Sequence, residues 1–285
     1  MYEAYYHFRA KPFQLSPDPR FFFSSRGHRR AMAYLDYGLH QGEGFIVITG
    51  EVGAGKTMLA QTLTRKLESR NLVMAHVVNT QLEADDIIRM VAAAFGLPHE
   101  SSKALLLRSL EQFLRMCHSQ KKRALLLVDE AQNLPLKSLE ELRMLSNFQC
   151  DDKPLLQSFL LGQPEFRRTL QSPMLEQLRQ RVIASCHLGP LAVEETEAYV
   201  THRLQTVGWA GDPSFSADTF AAVHQSSGGI PRKINLLCDR LLMMGRLDEK
   251  HAFTAGEVAI VVAELREEFF PAALHAEPIG GAHAT

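Results

Sequence analysis

Eight consecutive residues, Gly50, Glu51, Val52, Gly53, Ala54, Gly55, Lys56 and Thr57, satisfy the spacing Gly-x-x-x-x-Gly-Lys-[Ser/Thr]. Glycines at these positions let backbone N–H groups close around phosphate oxygens at a helix N-terminus, where the helix dipole also favours negative charge. Lys56 is expected to reach the β- and γ-phosphates of ATP, and Thr57 to place its hydroxyl on Mg²⁺. A chance match arises in roughly one chain in a hundred of this length when glycine makes up about 7% of residues. Further along, the aliphatic run Leu125 to Val128 ends in Asp129 and Glu130. Asp129 is suited to the Mg²⁺ shell, and Glu130 to orienting, or taking a proton from, a water that attacks the γ-phosphate. Taken alone, two acids after a strand describe a solvated turn; the phosphate loop upstream gives them a second meaning.

The elements that must position these groups follow from periodicity and capping. Strands are expected at Phe45 to Thr49, Leu72 to Val78, Ala124 to Val128, Leu155 to Leu161 and Val182 to Leu188. Helices are expected over Met58 to Leu67, from a capping box at Thr80 to Glu83 through Phe95, over Lys103 to His118, and after a second box at Ser138 to Glu141. This alternation predicts an α/β fold with a parallel five-stranded sheet covered on both faces and ligands at the carboxyl ends of its strands. After Pro190 the pattern becomes helical, with faces marked by Val193, Val200, Leu204 and Val207 and by Ile234, Leu237, Leu241 and Met244. A capping box at Thr254 to Glu257 opens a last helix, and no further strand is expected. The organisation expected is an N-terminal segment packing on the nucleotide site (1–43), an ATPase core (44–190), a small all-helical lid (191–270) and a disordered tail (271–285).

Composition narrows the class. The 285 residues carry 31 Lys and Arg against 32 Asp and Glu, a net charge of -1, with 46% hydrophobic content, which excludes whole-chain disorder and argues against a protein that coats a polyanion. Cys117, Cys150, Cys186 and Cys238 lie far apart, so neither a zinc site nor a disulfide framework is expected, and the 12 histidines show no ligand spacing. The first residues do not read as a signal peptide, and the longest aliphatic runs are too short to span a bilayer, so the expected location is cytoplasmic.

A phosphate loop, an Asp-Glu strand end and a helical domain after the fifth strand resemble an AAA+ ATPase. Further motifs resemble ExeA-type ATPases, the general secretion pathway protein A family. They are Phe13-Gln-Leu-Ser-Pro17 to Phe21, Gly27-His28-Arg, Tyr37-Gly-Leu39, Leu161-Gly-Gln163-Pro-Glu165, Leu178-Arg-Gln-Arg181-Val and Gly229-Ile-Pro231-Arg232-Lys-Ile-Asn235. The matching spans about residues 5 to 268. Within that family the chain looks most like the short secretion ATPases associated with exosortase (PEP-CTERM) and exopolysaccharide loci. Longer relatives continue into a transmembrane helix and a peptidoglycan-binding domain, which are not expected here.

The resemblance implies roles for further residues. Gln163 matches the polar residue that senses the γ-phosphate, or else caps the turn at Pro164. Asn79 resembles the residue that restrains the catalytic Glu, or is a simple turn Asn. Arg232 is implied to report nucleotide state. Arg179 or Arg181 is implied to reach a neighbouring subunit's site, the alternative being a solvated Arg pair, and His28 to wall the adenine pocket. The resemblance also implies a ring-like, nucleotide-dependent homo-oligomer and a protein partner in cell-envelope secretion or polysaccharide export, with attachment to the inner membrane only through that partner. The rival readings are a DNA-associated regulator of the transposition type, a nucleotide-gated scaffold with little turnover, and a small-molecule kinase.

Overall fold

The computed structural model of the chain describes residues 2–67, 71–78, 86–99 and 102–269. Five segments rich in Val, Ile, Leu and Phe form its central sheet: Phe45–Gly50 (β1), Leu72–Val77 (β2), Arg123–Val128 (β3), Leu156–Gly162 (β4) and Val182–Leu188 (β5). All neighbours run parallel, in the order β2-β3-β4-β1-β5.

Successive residues on a strand point to opposite faces, and the aliphatic runs therefore feed two separate layers. Ile46, Ile48, Leu125, Leu127, Phe159 and Leu161 belong to one core with residues of the helices Arg26–Gln41 and Lys56–Leu67. Phe45, Val47, Leu126, Val128 and Leu160 belong to the other, with residues of Asp86–Ala94, Lys103–Ser119 and Leu136–Leu145. A fully buried Leu, Ile or Phe contributes about 1.5–3 kcal/mol, so these two layers hold the sheet far more firmly than helix propensity could.

The helix Leu136–Leu145 begins two residues before the expected cap. Pro135 occupies its N-cap, and Ser138 lies inside the first turn, fully buried, with no hydrogen-bond partner for its hydroxyl among the described residues. Proline supplies a backbone set for entering a helix, and that outweighs the Ser-x-x-Glu pattern. An antiparallel pair, Gln149–Cys150 with Lys153–Pro154, was not expected either. It turns through Asp151 and Asp152 with φ of 51° and 58°, the left-handed geometry of a tight hairpin, in too few residues to register as alternation. The box at Thr80 to Glu83 and the tail lie outside the described residues.

The chain divides into two compact units. Ser16–Leu191 with Ile230–Arg232 forms one; Met1–Leu15, Ala192–Gly229 and the described part of Lys233–Thr285 form the other. The N-terminal stretch is thus not one segment. Its first part is tied into the second unit by Arg203, a buried residue of the helix Val193–Thr206 that donates to Pro12 O (2.6 Å), and by Tyr6, whose hydroxyl donates to Lys250 O (2.8 Å). The rest, with the helix Arg26–Gln41, stays in the sheet-bearing unit.

The second unit is mostly helical but not wholly so. Besides Val193–Thr206 it holds the helices Ala217–Ser227 and Ala255–Phe269 and, from Lys233 onward, the helix Pro231–Leu247, and Ser214–Phe215 pairs in parallel with Ala252–Phe253. Two residues a side are too short for a periodic signal. Val193 is exposed because it is the first residue of its helix, about two turns ahead of the buried Val200. The last helix opens on a reciprocal cap in which Thr254 N–H and Oγ1 donate to Glu257 Oε2 (2.9 and 2.6 Å) and Gly256 N–H donates to Thr254 Oγ1 (3.2 Å).

The hydrogen bonds from Thr254, and then that from Lys250, hold the Glu257 carboxyl down at about 2. A depressed folded-state value stabilises above the ordinary carboxylate range and is lost as pH falls through that range toward about 2. Thr254→Ala is expected to cost about 1 kcal/mol by thermal melting at neutral pH. Glu257→Gln is expected to flatten the acid side of the stability profile.

Candidate functional site

The strand register brings the chemistry together. Thr49 pairs with Gly162, and Val128 with both Leu160 and Val77, so the carboxyl ends of four strands finish at one edge. The phosphate loop follows β1, the two acids follow β3, and Gln163 follows β4, the strand between them.

The loop itself is shaped by its glycines. Gly53 and Gly55 have φ of 83° and 97°, values that side-chain-bearing residues rarely adopt. A Cβ at Gly53 would lie 2.3 Å from Arg232 Cβ, and one at Gly55 would lie 2.8 Å from His28 Nε2. Lys56 and Thr57 open the helix Lys56–Leu67, so its first N–H groups point at this loop. Lys56 is buried, and its ammonium donates to Gly50 O (2.8 Å) and Glu51 O (3.1 Å). Burial lowers its pKa, against the raising effect of Glu130 and Asp129.

Asp129 is also buried and accepts from both directions: Thr57 Oγ1 donates to its Oδ2 (2.8 Å), and Glu130 N–H donates to its Oδ1 (2.9 Å). Glu130 sits at φ 52°, ψ 39°, a left-handed turn that swings the following Ala131–Asn133 back toward the strand ends. Its Oε2 accepts from Gln132 Nε2 (2.5 Å) and from Gln163 Nε2 (3.1 Å). Burial alone would raise the Glu130 pKa; these two amides and the charge of Lys56 outweigh it and leave the carboxyl lowered.

His28 is buried beside the loop at Gly55, in hydrogen-bond contact with Ser25 Oγ through Nδ1 (2.7 Å) and edge-on to Phe22. Arg232 is exposed at the start of its helix, and its N–H donates to Gly53 O (3.2 Å). The two candidate trans arginines are not brought to the phosphate loop of their own chain. Arg179 donates to Leu170 O and Ser172 O (both 2.7 Å), bracing a turn. Arg181 donates to Ser146 Oγ (2.6 Å), and its carbonyl accepts from Phe45 N–H at the amino end of β1, the opposite end of the sheet. Asn79 lies outside the described residues.

Gln132 was missed by sequence reasoning, which stopped at the two acids. The only local signal is an amide two residues past Glu130, and its meaning depends on Gln163 being close by. His118, Cys150 and Asp151 place ligand-type atoms within 4.8 Å of one another, a grouping their spacing hides.

The donor set suits a hard cation beside a phosphate. Thr57 and Asp129 offer oxygen atoms only, and the glycine cradle and buried ammonium suit the phosphate. This sheet order, loop and acid pair define the AAA+ P-loop fold. Residues 39–170 match the family model described as an AAA domain. The ORC2 protein of Aeropyrum pernix, in ADPNP-ADP complexes, superposes with a TM-score of 0.67 at 16% identity, over 90% of this chain and 72% of that one. The RuvB Holliday junction branch migration motor of Thermotoga maritima gives 0.56 at 19% identity, over 84% and 68%.

Residues 39–170 are thus an AAA domain in a P-loop fold, and the likeness of the whole chain is to one kind of protein in particular. It is 38% identical over 267 residues to general secretion pathway protein A of Aeromonas hydrophila, covering 93% of this chain and 48% of that protein. The chain thus spans about half the length of the curated relative it matches, and over that half it is GspA-like.

Removing the Lys56 ammonium strips a buried cation from the phosphate site. Lys56→Ala is expected to weaken ATP binding by about a hundredfold or more, from the roughly 3 kcal/mol that hydrogen bonds to charged groups can contribute. Titration with a fluorescent ATP analogue reads this directly.

Proposed function

We propose that the chain binds Mg·ATP at the carboxyl edge of its sheet and hydrolyses it with water oriented by Glu130. The observation that carries this reading is the convergence on one strand edge of the buried Lys56, the Thr57–Asp129 pair and a Glu130 carboxylate held by Gln163. In this assignment the loop N–H groups and Lys56 bind the phosphates. Thr57 and Asp129 hold Mg²⁺, which when bound neutralises charge on the phosphate oxygens. Glu130 accepts a proton from, or orients, the attacking water, and Gln163 senses the γ-phosphate. His28 walls the base, and Asn79 restrains Glu130 in the resting state. The helical unit acts as a lid that reads nucleotide state through Arg232.

Arg179 or Arg181 completes the site of a neighbouring copy in a ring-like homo-oligomer, after exchanging its in-chain partners for phosphate. The cellular setting is envelope secretion, supported by the GspA likeness, and within it export linked to exosortase (PEP-CTERM) or exopolysaccharide, supported by the motif set. No helix among the described residues is long and apolar enough to cross a membrane; attachment at the cytoplasmic side through a partner is part of this proposal.

Glu130→Gln keeps the shape of the side chain and removes its charge. It is expected to bind ATP with near-normal affinity and to lose turnover by about a hundredfold or more, the scale of a general base. Undiminished phosphate release would sink the assigned role. Sizing by light scattering, with and without a non-hydrolysable ATP analogue, is expected to show assembly with nucleotide; a strictly monomeric protein under both conditions would remove the trans arginine.

A further inference from the structure

Gln132 is a polar side chain at the strand edge that belongs neither to the phosphate loop nor to the two acids. Its Nε2 donates to Glu130 Oε2 (2.5 Å), and its Oε1 accepts from the backbone N–H of Gln163 (2.9 Å). The amide's orientation follows from its neighbours. A backbone N–H only donates, so the amide oxygen faces Gln163; an ionised carboxylate only accepts, so the nitrogen faces Glu130. Gln163 closes the circuit by donating its own side-chain amide to the same carboxylate oxygen (3.1 Å). The left-handed backbone at Glu130 makes this possible, because it turns Ala131–Asn133 back across the ends of β3 and β4.

We propose that Gln132 is a positioning residue for hydrolysis: a two-ended bridge that locks the Glu130 carboxylate to the strand end bearing Gln163, so that the water-orienting group and the phosphate-sensing group move as one unit. This rests on the hydrolase reading of Glu130. The bridge fixes one carboxylate oxygen on two amides, and it gives Gln163 a backbone hold on the same side chain that its own amide touches. A displacement of Gln163 is therefore transmitted to Glu130 through two routes rather than one. In this role the residue acts through Glu130 and Gln163, so its loss should appear in the rate of the chemical step and not in binding.

Two variants separate the ends of the bridge. Gln132→Leu removes both. Gln132→Glu keeps an acceptor for the Gln163 N–H but places a second carboxylate against Glu130. In the nucleotide-free protein, amide hydrogen exchange at Gln163, read by NMR, is expected to quicken about tenfold or more in Gln132→Leu and to stay protected in Gln132→Glu. Single-turnover hydrolysis of radiolabelled ATP is expected to fall about tenfold in Gln132→Leu and further in Gln132→Glu, with ATP affinity within about twofold of wild type, the pattern of a misplaced catalytic group. In a Glu130→Gln background, Gln132→Leu should change nothing more.

Wild-type or faster hydrolysis by both Gln132 variants, with Glu130→Gln inactive, overturns the proposal and leaves the hydrolase reading intact. Undiminished hydrolysis by Glu130→Gln removes that reading and this role with it. Equal Gln163 exchange in wild type and Gln132→Leu would show that the bridge does not hold the strand end, and overturns the proposal by itself.

Discussion

Strand β4 hydrogen-bonds to β1 on one side and to β3 on the other, and the chemistry of the site depends on that insertion. A phosphate loop must sit at the end of β1, because its first helix has to start there with free N–H groups. An acid able to hold a cation beside that loop must come from a nearby strand end. With β4 between them, the loop and the acids are separated by one strand, which leaves room for a third polar group. Gln163 fills that place, and Thr57 still reaches Asp129 at 2.8 Å across the gap.

The energetics divide along the same line. The sheet is held by two aliphatic layers, fully buried and insensitive to charge, which fix the strand ends as rigid mounting points. The site is held by hydrogen bonds among charged and amide groups. Lys56 is buried with its ammonium turned onto the carbonyls of Gly50 and Glu51, and Glu130 is held by amides. Such groups are costly to bury unless each has a partner, and Lys56, Asp129 and Glu130 each have one.

The second unit follows a different rule. Its helices have amphipathic faces, but a buried polar chain also organises it: Tyr199 donates to Asn235, Arg203 donates to Tyr199, and Arg203 also grips the carbonyl of Pro12. That grip ties residues 2–15 into this unit. No local pattern in those residues announces it, because the partner lies 191 positions away.

How much of this was legible in the chain depends on the range of the forces involved. The phosphate loop, the strand ending in Asp129 and Glu130, the five sheet strands and the Thr254–Glu257 cap all depend on residues within a few positions of one another, where backbone sterics and side-chain periodicity act. The sequence by itself determined these. The strand order, the pairing of Thr57 with Asp129, the in-chain partners of Arg179 and Arg181, and the place of Gln132 were decided only by tertiary structure. Each requires groups far apart in the chain to come within hydrogen-bond distance, and that proximity is a property of how the hydrophobic layers stack the strands.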